Sequence, residues 1–185
     1  MKFLLHIVLL LLLSSLAGAA WVAHRPEVLA TPETPPGRVI DLADQLRQAA
    51  IKRSARLEWS DAVLNTSLNA RLSGTLDDSL SEWAQFNGLT LNLRESTAHV
   101  VTQWSVFGKT RTVSVDLDVT REGDTFQVRV LGGAYGRLRV MRGLLRPMTP
   151  TFERIASIFE PEIGHLFKMN QIEIQEGKLV LDPRF

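Results

Sequence analysis

The chain offers four histidines, His6, His24, His99 and His165, and no two stand at a helical or strand spacing that holds a metal. Asp116 and Asp118 share one strand face, but two carboxylates on a polar strand face solubilise more often than they ligate. There is no cysteine, which excludes disulfides, thiolate zinc sites and thiol nucleophiles. No G-x-S-x-G elbow is present. Gly132, Gly133 and Gly136 do not open a helix after a parallel strand, so no phosphate cradle is expected. His99 sits among apolar neighbours and reads as a structural residue. Asn65-Thr66-Ser67 matches the glycosylation triplet but falls inside an expected helix. The expectation is a non-catalytic protein without a metal or cofactor.

Two features remain that could bind something. Between Asp124 and Glu153 there is no acid, but there are five arginines, Arg129, Arg137, Arg139, Arg142 and Arg146. Guanidinium forks match phosphate and carboxylate oxygens, and several on one surface attract anionic lipid head groups. The plainer reading is a solvated face whose acids come from a neighbouring strand, such as Asp116 and Asp118. The second feature is apolar surplus. Trp104 and Leu138 on expected strands, and Phe152, Ile155 and Phe159 on an expected helix, either close a core or line a groove for an acyl chain. Those five apolar residues and the five arginines are the candidate ligand-binding set. A net charge of +1 argues against a polyelectrolyte binder, so no nucleic acid is expected as a partner.

The elements that must position these residues follow from pattern. Residues Phe3 to Ala23 contain no acid, lysine or arginine. As a helix they span roughly 30 Å, the thickness of a bilayer's hydrocarbon core. Trp21 sits at the interfacial position. Two readings stay open: a retained transmembrane anchor over residues 1–24, or a signal peptide cleaved near Ala17-Gly18-Ala19. Both send the remainder across the membrane. Residues 25–37 carry Pro26, Pro32, Pro35 and Pro36 and read as an extended spacer that lifts a domain of residues 38–185 off the bilayer.

Within that domain, Leu42, Leu46, Ala49 and Ala50 fall on one face of a helix over 41–54. Arg56 to Trp59 alternates as a strand, Ser60 is an N-cap, and Leu64, Leu68 and Leu72 repeat at spacing four in a helix over 61–72. Leu80, Trp83 and Phe86 suggest a helical turn or a loop across the core. From Leu89 the period becomes two, and four strands follow one another to Val130, with a turn at Arg121-Glu122-Gly123-Asp124. This predicts an antiparallel meander with one dry and one wet face. Leu138 and Val140 suggest an edge strand. A helix begins at Thr151, Pro161 restarts a further turn, and Ile172 to Leu181 forms a closing hairpin around Glu176-Gly177. The fold class is α+β: a curved antiparallel meander packed by amphipathic helices, behind an N-terminal apolar helix.

Certain phrases carry a resemblance. They are Leu57-Glu58-Trp59-Ser60-Asp61 opening a helix with Asn65 and Leu68, then Tyr135-Gly136-Arg137-Leu138-Arg139-Val140, then the final run from Ile172 to Leu181. Over about residues 55–182 this layout resembles the YpmS-like group of anchored extracytoplasmic domains. It is similar, more distantly, to the lipid-binding SMP and AsmA-like folds. The resemblance implies a curved sheet and a lipid or other hydrophobic ligand, and it supplies no active-site residues. The expected protein is therefore single-pass in the inner (cytoplasmic) membrane, with its C-terminal domain on the periplasmic side. Membrane lipids are its expected partners. The rival is an accessory subunit of a membrane-protein complex, docked by the sheet edge near Arg137 to Val140 or by the membrane helix.

Overall fold

The computed structural model describes residues 2–28, 38–52, 56–73, 75, 84–122 and 125–183. Helix α1, Lys2–His24, is apolar all round. Its stretch Leu4–His24 has a mean hydropathy of 2.2, and none of it is buried within the protein. Among the described residues there is thus one helix long and apolar enough to cross a membrane.

Helix α2, Leu42–Lys52, buries Leu42, Leu46 and Ala49, the expected face. Strand β1, Leu57–Ser60, leads directly into α3, Asp61–Leu72, where the Ser60 hydroxyl accepts from the Val63 N–H at 3.4 Å as the N-cap. A five-stranded antiparallel sheet follows in sequence order: β2 (Ala84–Arg94), β3 (Thr97–Val106), β4 (Lys109–Glu122), β5 (Thr125–Tyr135) and β6 (Leu138–Met141). A 3₁₀ helix, Arg142–Met148, then gives way to α4, Thr149–Ile158, and α5, Glu160–Leu166. The closing hairpin, β7 (Gln171–Gln175) and β8 (Lys178–Asp182), pairs with β1 in a separate sheet ordered β1-β8-β7.

The architecture is the expected α+β meander, with local differences. Residues from Ala84 onward are strand rather than helical turn, and Phe86 pairs with Trp104. Leu80 and Trp83 lie outside the described residues, as do Gly123 and Asp124, although Glu122 and Thr125 pair across that turn. Gly132 and Gly133 do not interrupt the strand pattern but lie inside β5. The register slips between Asp116 and Leu117, and Leu131 is the extra residue of a bulge. Beside it β5 approaches β4 so closely that a Cβ on Gly133 would stand 2.0 Å from the Ser114 carbonyl oxygen. Only glycine fits there. Helix α4 begins at Thr149, because Pro150 at the first turn suits a helix start.

Two clusters make the core. One joins Leu46 of α2, Leu64 of α3, Trp59, Leu93, Met169 and Leu181, between the small sheet and the β2 end of the large one. The other joins Leu72, Leu89, Ile155 and Phe159, so α4 leans on α3 and β2.

Strand β2 is an edge strand, and edge strands present unpaired backbone groups. Here α3 covers them. Asn65 accepts from the Leu91 N–H at 2.6 Å and donates to the Leu91 carbonyl at 2.8 Å. Asn69 does the same for Leu89, at 2.8 and 2.6 Å. Asp61 accepts from the Leu93 N–H at 3.3 Å, while the Leu93 carbonyl accepts from the Gly177 N–H at 3.0 Å. The match is geometric. Four helix residues rise about 6.0 Å and two strand residues about 6.6 Å, so helix positions 61, 65 and 69 track strand positions 93, 91 and 89.

Two outcomes are expected. Asn65→Ala strands one N–H and one carbonyl at a partly buried edge, and lowers stability by about 2–3 kcal/mol in urea unfolding of the nanodisc-held chain. A loss below about 0.5 kcal/mol would show the ladder to be incidental. Burial raises the Asp61 carboxyl above its ordinary range, against the pull of the Leu93 N–H. The folded state then holds that proton more tightly than the unfolded chain does. Its stabilising share is present at low pH and is lost as pH rises through the raised pKa. Asp61→Asn should therefore gain on the wild type in thermal melts between about pH 3.5 and pH 6.5. A constant difference across that range would contradict it.

Candidate functional site

The apolar sheet face and the helices above it do not close. Between them lies a cavity of about 710 Å³. Its floor is Val100 of β3, Val115 and Leu117 of β4, and Val130 of β5. Its roof is Leu145 of the 3₁₀ helix with Phe152, Ile155 and Ala156 of α4. The rim is polar, formed by Arg142, Arg146, Thr149 and Glu153. The cause is the tilt of α4 toward β2. Ile155 and Phe159 pack with Leu72 and Leu89, which leaves the centre of the meander uncovered. The Tyr135 hydroxyl donates to the Leu144 carbonyl at 2.9 Å and ties the 3₁₀ helix to β5 as the cavity's side wall.

The candidate residues divide among several places. Phe152, Ile155, Arg142 and Arg146 meet at the cavity. Trp104 is buried against Phe86, ring centroids 5.1 Å apart, and its indole N–H donates to the Thr102 hydroxyl at 3.0 Å. Phe159 belongs to the second core cluster, 5.9 Å beneath the Arg71 guanidinium. Leu138 is half-buried on β6. Arg129 stands in register with Asp118, the cross-strand acid the plainer reading supplied. Arg137 donates from Nε to the Pro26 carbonyl at 3.2 Å, and Arg139 borders a different recess. The five arginines do not form one surface. The strand register keeps Arg129 and Arg139 on the polar sheet face, with Arg137 in the turn beside Arg139, and the turn into the 3₁₀ helix carries Arg142 and Arg146 to the cavity side.

The other sheet face is not uniformly wet. Thr112, Ser114 and His99 are buried there, because residues 22–27 lie across it. The Glu27 N–H donates to the Thr112 hydroxyl at 2.8 Å, and Arg111 donates to the His24 carbonyl at 2.6 Å. His99 stands between two carboxylates, Nδ1 at 2.6 Å from Asp116 and Nε2 at 3.2 Å from Glu27. Gly136, at φ +56°, receives the segment. A Cβ there would come within 2.4 Å of the Ala23 and Arg25 carbonyl oxygens. The stretch expected as a free spacer is therefore fastened to the sheet at its start, and residues 29–37 lie outside the described set. A polar recess of about 180 Å³ adjoins this contact. Among the described residues, no three histidine, aspartate or glutamate side chains gather as a metal site.

Three features escaped sequence reasoning. Arg71, paired with Glu162 of α5 and donating to the Ile158 carbonyl at the end of α4, locks α3 to both helices. Asn65 and Asn69 hold the edge strand, and Glu27 reaches His99 across 72 positions. For the asparagines, the recurrence at 61, 65 and 69 of side chains able to accept from a backbone N–H was a usable signal. Glu27 gave none. No protein-family model matches the chain, and no curated protein matches it either.

Gly136→Val forces a Cβ into the Ala23 and Arg25 carbonyls and should lift the segment from the sheet. Glu-C cleavage after Glu27 in the nanodisc-held chain should then speed by about tenfold or more, since such cleavage follows the population of the open form. An unchanged cleavage rate would mean the contact does not hold the segment.

Proposed function

We propose that this chain is a non-catalytic, membrane-tethered protein that binds a lipid or another hydrophobic ligand in the cavity beneath α4. The observation that carries the reading is the 710 Å³ space floored by Val100, Val115, Leu117 and Val130. Its volume lies within the range of small-molecule sites, about 300–1,000 Å³, and its apolar floor with a few polar rim groups is how such sites are built. Tethering rests on α1, whose stretch Leu4–His24 is strongly apolar and not buried within the protein, with Arg25 stacked 3.6 Å over Trp21 at its end. In this reading α1 sits in the inner membrane and the domain faces the extracytoplasmic side. The layout shared with YpmS-like anchored domains points the same way.

A second reading has its own observation. Along β5, β6 and the start of the 3₁₀ helix, Val128, Leu131, Met141 and Leu144 are all exposed, Met141 by 81%. Exposed apolar side chains on and beside a four-residue edge strand suit docking to a partner subunit.

Native mass spectrometry of the full chain, extracted directly into nanodiscs, separates the two. A retained small apolar molecule, lost in Ala156→Trp while the melting temperature holds, supports the ligand reading. A stoichiometric protein partner with an empty cavity supports the other. A wild-type chain that retains no small molecule, or an Ala156→Trp chain that retains the same one, would sink the first.

A further inference from the structure

The rim of the cavity carries more information than its volume. Arg142 and Arg146 stand on the 3₁₀ helix at its mouth, exposed, and neither guanidinium has a hydrogen-bond or ion-pair partner among the described residues. Other arginines of the domain do have partners: Arg71 pairs with Glu162, Arg111 with the His24 carbonyl and Arg137 with the Pro26 carbonyl. Among the described residues Glu153 is the one carboxylate on the same rim, so two guanidiniums against one carboxylate leave a single net positive charge there. Thr149 adds a hydroxyl donor. The floor is short. It crosses the centres of three adjacent strands, about 10 Å, and runs from Val115 to Leu117, about 7 Å.

Resting on the ligand reading above, we infer that the cavity takes a single-chain amphiphile with a monoanionic head. The apolar body lies over Val115 and Leu117, and the head meets Arg142 and Arg146. Charge-assisted hydrogen bonds from unpartnered guanidiniums favour a carboxylate or a phosphodiester over a neutral or cationic head. The small floor favours a short or folded chain over a long extended one, which would overrun three strands. A fatty carboxylate and a lysophospholipid phosphodiester share this chemistry.

The absence of cysteine allows a single reporter. A cysteine at Gly143, where a Cβ meets no atom within 4 Å, is labelled with bimane in the full chain held in phosphatidylcholine nanodiscs. Decanoate, decanol, decyltrimethylammonium and a decanoyl lysophosphatidylglycerol are titrated, with empty nanodiscs as the partition control. One or both anions should bind at least about tenfold more tightly than decanol, and the cation more weakly than decanol. Which anion binds tighter names the head. Arg142→Gln with Arg146→Gln should reduce the anions to the decanol level and leave decanol unchanged. Decanol binding as tightly as both anions overturns this inference while the apolar cavity stands. Anion preference that survives the double substitution overturns it too. No response to any of the four ligands overturns the cavity reading itself.

Discussion

The exposed backbone of an edge strand is the constraint on which the rest of this domain depends. Strand β2 must satisfy outward N–H and carbonyl groups at residues 89, 91 and 93, and α3 satisfies most of them with side chains. That obligation fixes α3 along the margin of the sheet rather than across its centre. Arg71 then binds Glu162 and the Ile158 carbonyl, and Phe159 packs beneath it, so α4 and α5 follow α3 to the same side. The roof of Leu145, Phe152, Ile155 and Ala156 is left standing clear of the middle of the meander. The cavity is thus the remainder of a packing solution dictated at the edge.

The opposite face is governed by a second close fit. Residues 22–27 cross it through backbone contacts, and the left-handed turn at Gly136 makes room for them. His99 then finds carboxylates on both ring nitrogens, one from β4 and one from the crossing segment.

Much of the fold was legible in the residues. Leu64, Leu68 and Leu72 gave α3, Ser60 gave its cap, and the period of two gave the strands, because each signal is local. The meander's fifth strand was half visible in Leu138 and Val140. The cavity was legible only as an alternative, since it depends on where α4 leans, and that is decided by Ile155 and Phe159 meeting Leu72 and Leu89 from far along the chain. Phe159 and Trp104 could read as core or groove residues, and both are buried in the core. An apolar side chain carries no mark of which neighbour covers it. The arginines looked like a single cluster because sequence proximity hides the turn after β6, which takes Arg142 and Arg146 to the other side of the sheet. The asparagines of α3 looked unremarkable because a polar residue on a helix usually meets water.

The fastening of residues 22–27 makes α1 and the sheet a single lever. A floppy tether would let the domain swivel freely above the lipid. A bolted one carries torque: in the membrane-tethered reading, a neighbouring helix that tilts or rotates α1 would swing the sheet with it, and the opening beneath α4 would change heading by the same turn.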